Sequence, residues 1–251
     1  MTTQQDTLKP LAGRRVVVIG GTSGMGLAAA KAAHDAGAHV IAAGRRAITD
    51  RKPPAANDPS FVQETVDITD EASVKTFFER VGTLDHLLIT STPPSKGPGK
   101  FLEQDVNDAQ QFMLGKFFGN WAAARWAAPR ISAGGSITFV TGGAVDRPRP
   151  GITMISATFA ALETLARGLA IELGPLRVNT IRPGYTDSDM WNFLDAPARD
   201  ELRRKVSAAM PVRRMGSVED IAHAALFLMT NPQVTGTVLE VTGGETLVDF
   251  V

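Results

Sequence analysis

Short β-branched runs that alternate with helix-forming segments constrain this chain more than any other feature. Arg14 to Gly21, RRVVVIGG, has the pattern of a buried strand closed by glycines. GMGLAAAKAAHDAG follows it, rich in helix formers, and stops at Gly37. HVIAAGRR, FVQETV, DHLLIT, GSITFVT, LRVNTIRP and TVLEVTGG repeat the strand pattern. Helices fall between them. DEASVKTFFERVG places Val74, Phe77, Phe78 and Val81 at helical spacing, a long helical region runs from about Leu102 to Ala128, and the apolar stretch Gly151 to Leu173 reads as another helix. Ser217 with Asp220 forms a capping pattern at the start of a last helix, which Asn231-Pro232 ends. Arg45 to Ser60, with Pro53, Pro54 and Pro59, reads as a loop, as does STPPSKGPG. Gly184 to Pro197 is irregular and carries Tyr185, Trp191 and Phe193, the composition of a lid. Such alternation with continuous apolar strands predicts a parallel sheet covered by helices on both faces, joined by right-handed crossovers. The reading is one doubly wound α/β domain over residues 15–251, a flexible lead-in over 1–14, and a lid or substrate loop at about 184–210.

Composition narrows the function classes. Lys plus Arg equals Asp plus Glu at 26 each, so no net field favours nucleic acid or an anionic membrane. No apolar run approaches membrane-spanning length, and MTTQQDTLKPLAG lacks the apolar core of a signal peptide. The absence of cysteine excludes disulfides, thiolate metal sites and cysteine nucleophiles, and suits a reducing cytoplasm. No metal-ligand spacing is present. A small-molecule substrate is the expected partner.

GGTSGMG, Gly20 to Gly26, sits between the first strand and the first helix. Glycines there let the backbone approach a pyrophosphate, while the helix start offers free N–H groups and a positive dipole end. A plain tight turn is the alternative. The second strand ends Gly44-Arg45-Arg46 with no carboxylate. An acidic residue at that point binds a ribose 2′-hydroxyl, whereas an arginine accepts a 2′-phosphate, so the expected cofactor is NADP(H) held by Arg45 and Arg46. Arg15 is expected to add positive charge nearby.

The GxxxGxG spacing of Gly20, Gly24 and Gly26 resembles the short-chain dehydrogenase/reductase family rather than the generic dinucleotide fingerprint. Asp67 in VDIT, the segment LAIELGPLRVNTIRPG and the pair Gly243-Gly244 match further marks of that family in order and spacing. The resemblance covers essentially the whole chain. It implies a seven-stranded Rossmann sheet, a nicotinamide cofactor over the C-terminal strand ends, and a homodimer or homotetramer. It also implies cofactor contacts at Gly20, Thr22, Ser23, Gly24, Met25, Gly26, Asp67, Ile68, Ser91, Thr92, Pro183 and Gly184.

Catalysis in that family uses a tyrosine, a lysine four residues on, a serine and a helix asparagine. The family's YSASKAALE aligns without a gap on ISATFAALE, Ile155 to Glu163, so Ile155 takes the tyrosine position and Phe159 the lysine position. Gly142 takes the serine position, and Lys116 falls near the asparagine. Tyr185 is the only tyrosine, and no lysine occurs between Lys116 and Lys205, so no shift of register restores the pair. General acid catalysis contributes roughly 100- to 10,000-fold, so simple ketone reduction by the family's route is expected to fail. Replacement groups are Tyr185, Lys116 and Asp187, then Asp146, Thr141 and the Ser91–Thr92 pair; each also reads as lid, solvated helix, turn or strand packing.

Three functions follow. One is an NADP(H) oxidoreductase acting on an imine, iminium or activated alkene. Another is a non-catalytic NADP(H)-binding regulatory or assembly protein, and the third a lyase or isomerase without net hydride transfer.

Overall fold

Valines and isoleucine of β1 (Arg15–Ile19) are at most 1% exposed from Val16 onward, which fixes this strand at the centre of the molecule. β2 (His39–Gly44) and β3 (Phe61–Thr65) lie on one side of it. β4 (Leu84–Ile89), β5 (Ile131–Val140), β6 (Arg177–Pro183) and β9 (Val238–Val241) lie on the other, giving the order β3-β2-β1-β4-β5-β6-β9. All seven strands run parallel, as the sequence pattern predicts. Two further strands, β7 (Thr186–Asp187) and β8 (Gly216–Ser217), pair only with each other. This computed structural model describes residues 9–45, 58–92 and 99–249.

The two faces have separate cores. Helices α1 (Gly24–Asp35) and α7 (Val218–Thr230) bury Leu27, Ala30, Ile221 and Leu228 against one face. On the opposite face lie α2 (Glu71–Val81), α4 (Gly119–Ala127) and α5 (Thr153–Glu172), which bury Phe77, Phe78, Ala123 and Leu162. Strand order reverses between β1 and β4, so a crevice opens at their C-terminal ends, the place where such sheets bind ligands.

Several expectations need correction. The lead-in is folded from Lys9: Leu11 is 2% exposed and its N–H bonds Ala36 O at 3.0 Å, because its side chain fills the seam beside α1. The long helix expected from Leu102 begins as α3 (Val106–Met113), where the Asp105 side chain accepts from Asn107 N. It is then interrupted by a π-turn, Leu114–Phe118, before α4. The lid is regular from Ala196, where α6 (Ala196–Ala209) starts under an Asp195 cap. One apolar run does reach membrane-spanning length, since α5 has 20 residues and a mean hydropathy of 1.3 in its best window. Its buried Glu163 pairs with Arg182 of β6 at 2.6 Å, which makes α5 a covering helix of the sheet. Arg15 starts β1 and donates to Thr83 O, at the end of the sheet opposite Arg45.

Candidate active site

The glycine turn after β1 is shaped by close approach. A Cβ on Gly20 would overlap Thr90 Oγ1 and come within 2.7 Å of Ser91 N, and one on Gly26 would overlap the Gly20 carbonyl. Thr90 Oγ1 bonds the carbonyls of Ile19 and Gly20 at 3.3 and 3.2 Å, pinning the turn to the end of β4. Gly24 has a left-handed φ of 49° and open space where a Cβ would point. Ser23 is the N-cap of α1 yet makes no side-chain capping bond, and the first turn holds no acidic residue. The first turn of α1 therefore has backbone donors that the Ser23 side chain does not cap, at the positive helix end, which fits a pyrophosphate. Met25 sends its side chain into the core instead.

Thr22 packs over Gly44, whose missing Cβ would sit 2.8 Å from Thr22 Oγ1. Arg45 follows, fully on the surface, and its charge acts on Asp67. Hydrogen bonds from the Thr69 hydroxyl and N–H hold the Asp67 carboxyl below its usual range. Ile68 is buried, with its carbonyl 2.5 Å from where a Cβ on Gly119 would lie, so strand β3's exit loop rests directly on α4. Arg46 lies outside the described residues.

Gly142 and Phe159, the positions of the family's serine and lysine in the alignment, lie side by side. A Cβ on Gly142 would stand 2.9 Å from Phe159 Cε2, so the aromatic ring occupies the space beside the end of β5. Lys116 lies over that ring. Its Nζ lies 5.6 Å from the Phe159 centroid and donates to Ser91 O at 2.9 Å. The residue is 1% exposed, and burial lowers its pKa to about 7. Asn120 donates its side-chain amide to Lys116 O at 2.7 Å and so fixes the π-turn that presents the lysine. Thr92 is exposed.

A second polar cluster forms across the crevice. Tyr185, after Pro183-Gly184, stacks on Trp191 at 6.0 Å and accepts a hydrogen bond from Arg149. Arg149 also reaches Glu245 Oε1 at 3.4 Å. Glu245 is 5% exposed, and burial raises its carboxyl pKa against the opposing pull of Arg149. It needs the glycines around it: Cβ atoms on Gly143 and Gly184 would lie 3.2 and 2.6 Å from Oε2. Sequence reasoning missed Arg149 and Glu245. DRPRPG reads as a turn, and nothing local marks a glutamate after a glycine pair as buried.

Three replacement candidates are committed elsewhere. Asp187 forms ion pairs with Arg199 and Arg203 at 2.7 and 2.8 Å, and their hydrogen bonds outweigh burial to keep its carboxyl low, so it anchors α6. Asp146 pairs with Arg182. Thr141 donates to Glu163 Oε1 at 2.9 Å.

The family described as enoyl-(acyl carrier protein) reductase matches residues 20–246. The chain belongs to the short-chain dehydrogenase/reductase family. The short-chain dehydrogenase/reductase fsr5 of Gibberella fujikuroi is 29% identical, over 94% of this chain and 96% of that protein. The 3-oxoacyl-(acyl-carrier-protein) reductase FabG of Chlamydia muridarum is 30% identical, over 93% and 98% respectively. A solved small-chain dehydrogenase in complex with NADPH superposes with a TM-score of 0.78 at 32% identity, covering 94% of this chain and 99% of that one. This short-chain dehydrogenase/reductase is therefore an oxidoreductase that binds a nicotinamide cofactor.

Proposed function

We propose that the protein is an NADP(H)-dependent reductase of an electron-poor double bond, an imine, iminium or conjugated alkene, whose α5 supplies no proton. The observation that carries this reading is the Phe159 ring seated on Gly142, with Ile155 one turn before it on the same helix. A carbonyl oxygen gaining charge beside that wall meets no hydroxyl or phenol from Ile155 and Phe159 of α5 or from Gly142 at the end of β5. Such a site is unsuited to simple ketones, which need general acid help at oxygen.

The cradle residues Gly20 to Gly26, with Arg45 exposed at the end of β2, would hold NADP(H); Asp67, Ile68, Ser91, Thr92, Pro183 and Gly184 would border it. A bound reduced nicotinamide supplies hydride. The guanidinium of Arg45 suits a 2′-phosphate by charge and by its paired donors. Similarity to a dehydrogenase solved with NADPH supports the choice, and a family described by enoyl reduction supports the alkene. Around the substrate, Arg149, Tyr185 and Trp191 form a polar-aromatic rim.

Titrating wild type and Arg45→Asp with NADPH and NADH tests the cofactor. Wild type is expected to favour NADPH by about 10-fold or more, since hydrogen bonds to charged groups are each worth about 1.5–3 kcal/mol; Arg45→Asp is expected to abolish the preference. Equal affinities in wild type would overturn it. A second reading, a non-catalytic NADP(H)-binding regulator, draws on the same apolar pair Ile155 and Phe159. Tight NADPH binding without oxidation across enones, imines and iminium salts would favour it.

A further inference from the structure

Lys116 is a buried ammonium set between the end of β4 and the hydrocarbon face of Phe159. Its hydrogen bond goes to a neutral carbonyl, Ser91 O, and its nearest ring is the face of Phe159. Among the described residues no carboxylate pairs with it, and burial is the sole cause of its lowered pKa. An uncompensated buried charge is costly, and folds retain one mainly where it acts. The π-turn supports that view, because such turns recur at functional sites and here it is held by Asn120. Lys116 also stands at the C-terminal end of β4, beside the crevice at the switch in strand order.

We propose that Lys116 is the cation and proton donor met by a conjugated carbonyl substrate, so that the site takes α,β-unsaturated ketones, aldehydes or thioesters and rejects iminium ions. The proposal rests on the reductase reading above and narrows its substrate class. A reduced nicotinamide held beside the glycine turn would supply hydride, so that a C–H bond forms at the β-carbon. The alkene π pair moves toward the carbonyl, and negative charge collects on its oxygen. The Lys116 ammonium stabilises that oxyanion and then gives one proton to the α-carbon. The neutral amine left behind takes a proton from water, and the products are the saturated carbonyl compound and NADP⁺. An iminium ion needs no proton at carbon and loses charge as hydride arrives. A resident ammonium therefore repels it on entry and gains nothing in its transition state.

The test compares a cyclic enone with a ring-matched N-alkyl iminium salt, using wild type, Lys116→Met and Lys116→Gln, each checked for folding by circular dichroism. Wild type is expected to reduce the enone at least about 100-fold faster, with a rate that falls as pH rises through 7. Both variants are expected to lose about 100- to 10,000-fold in enone kcat and the falling limb, with NADPH affinity unchanged within about threefold. A readout independent of turnover is the absorbance of 4-nitrophenol bound to the protein, with and without NADP⁺: the phenolate band is expected in wild type and the neutral phenol band in the variants. Faster iminium reduction, or enone activity and phenolate binding that survive loss of Lys116, would overturn the proposal. Failure of wild type to bind NADPH at all would instead defeat the reductase reading, while the phenolate band still reports on Lys116.

Discussion

Gly26 shows how a single residue holds the cofactor turn together. Any side chain there drives into the Gly20 carbonyl and the Thr90 hydroxyl, both fixed by backbone hydrogen bonding. Gly26→Ala is expected to cost about 1–3 kcal/mol of stability, as overpacking does, and to weaken NADPH binding at least tenfold; urea melts and a fluorescence titration check both. Lys116 makes a prediction of opposite sign. Burial holds its pKa in the folded chain at about 7, below the ordinary lysine value of 10.5, so the unfolded chain binds the extra proton between those pH values. Stability therefore rises with pH through this window, by at most about 1.4 kcal/mol per unit, relative to Lys116→Met. Paired melts at pH 7 and 9 should show Lys116→Met the more stable at pH 7 and the difference shrinking at pH 9. Of these residues, the glycines were legible from spacing alone, since a strand-to-helix turn leaves few backbone choices. The direction of Lys116 was not, because a π-turn inserts a residue into the helical register and swings every side chain on it away from the face that regular periodicity predicts.

At the scale of elements, α5 is tied to β6 by one buried ion pair. Glu163 and Arg182 have side chains 3% and 8% exposed, and two guanidinium nitrogens meet the carboxylate at 3.0 and 2.6 Å. Removing Glu163 takes away both of these hydrogen bonds but leaves Arg182 paired with Asp146 and Glu240, so Glu163→Ala is expected to lose about 1–3 kcal/mol by thermal denaturation. The helix was readable from composition as an apolar wall, and Leu162 and Ala166 do lie in the core. Its anchor was not readable, because the partner of Glu163 comes from a neighbouring strand and is brought near only by the crossover. The same limit explains Asp187: its sequence place beside Tyr185 suggested chemistry, while its partners Arg199 and Arg203 sit on α6. Glu245, too, becomes meaningful only when the β5, β6 and β9 loops converge around it.

For the molecule as a whole, α5 and α4 leave apolar surface uncovered. Only 22% of the apolar window of α5 is buried, Ile171 is 87% exposed, and Phe118 and Trp121 on and beside α4 are 54% and 40% exposed. Surface of that kind on adjoining helices calls for a second copy of the chain, which is the oligomer we propose. Sedimentation of Phe118→Glu/Trp121→Glu is expected to show a smaller species than wild type, with α-helical content retained.

The central claim concerns where hydride goes and which bond it saturates. Incubating the protein with NADPH deuterated at the transferable position and a 2-enoyl thioester, then reading the product by mass spectrometry, follows that atom directly. One deuterium at the β-carbon of a saturated thioester is the predicted result, with no label entering a matched saturated ketone. Label at the carbinol carbon of the ketone, formed at a comparable rate, would contradict the account.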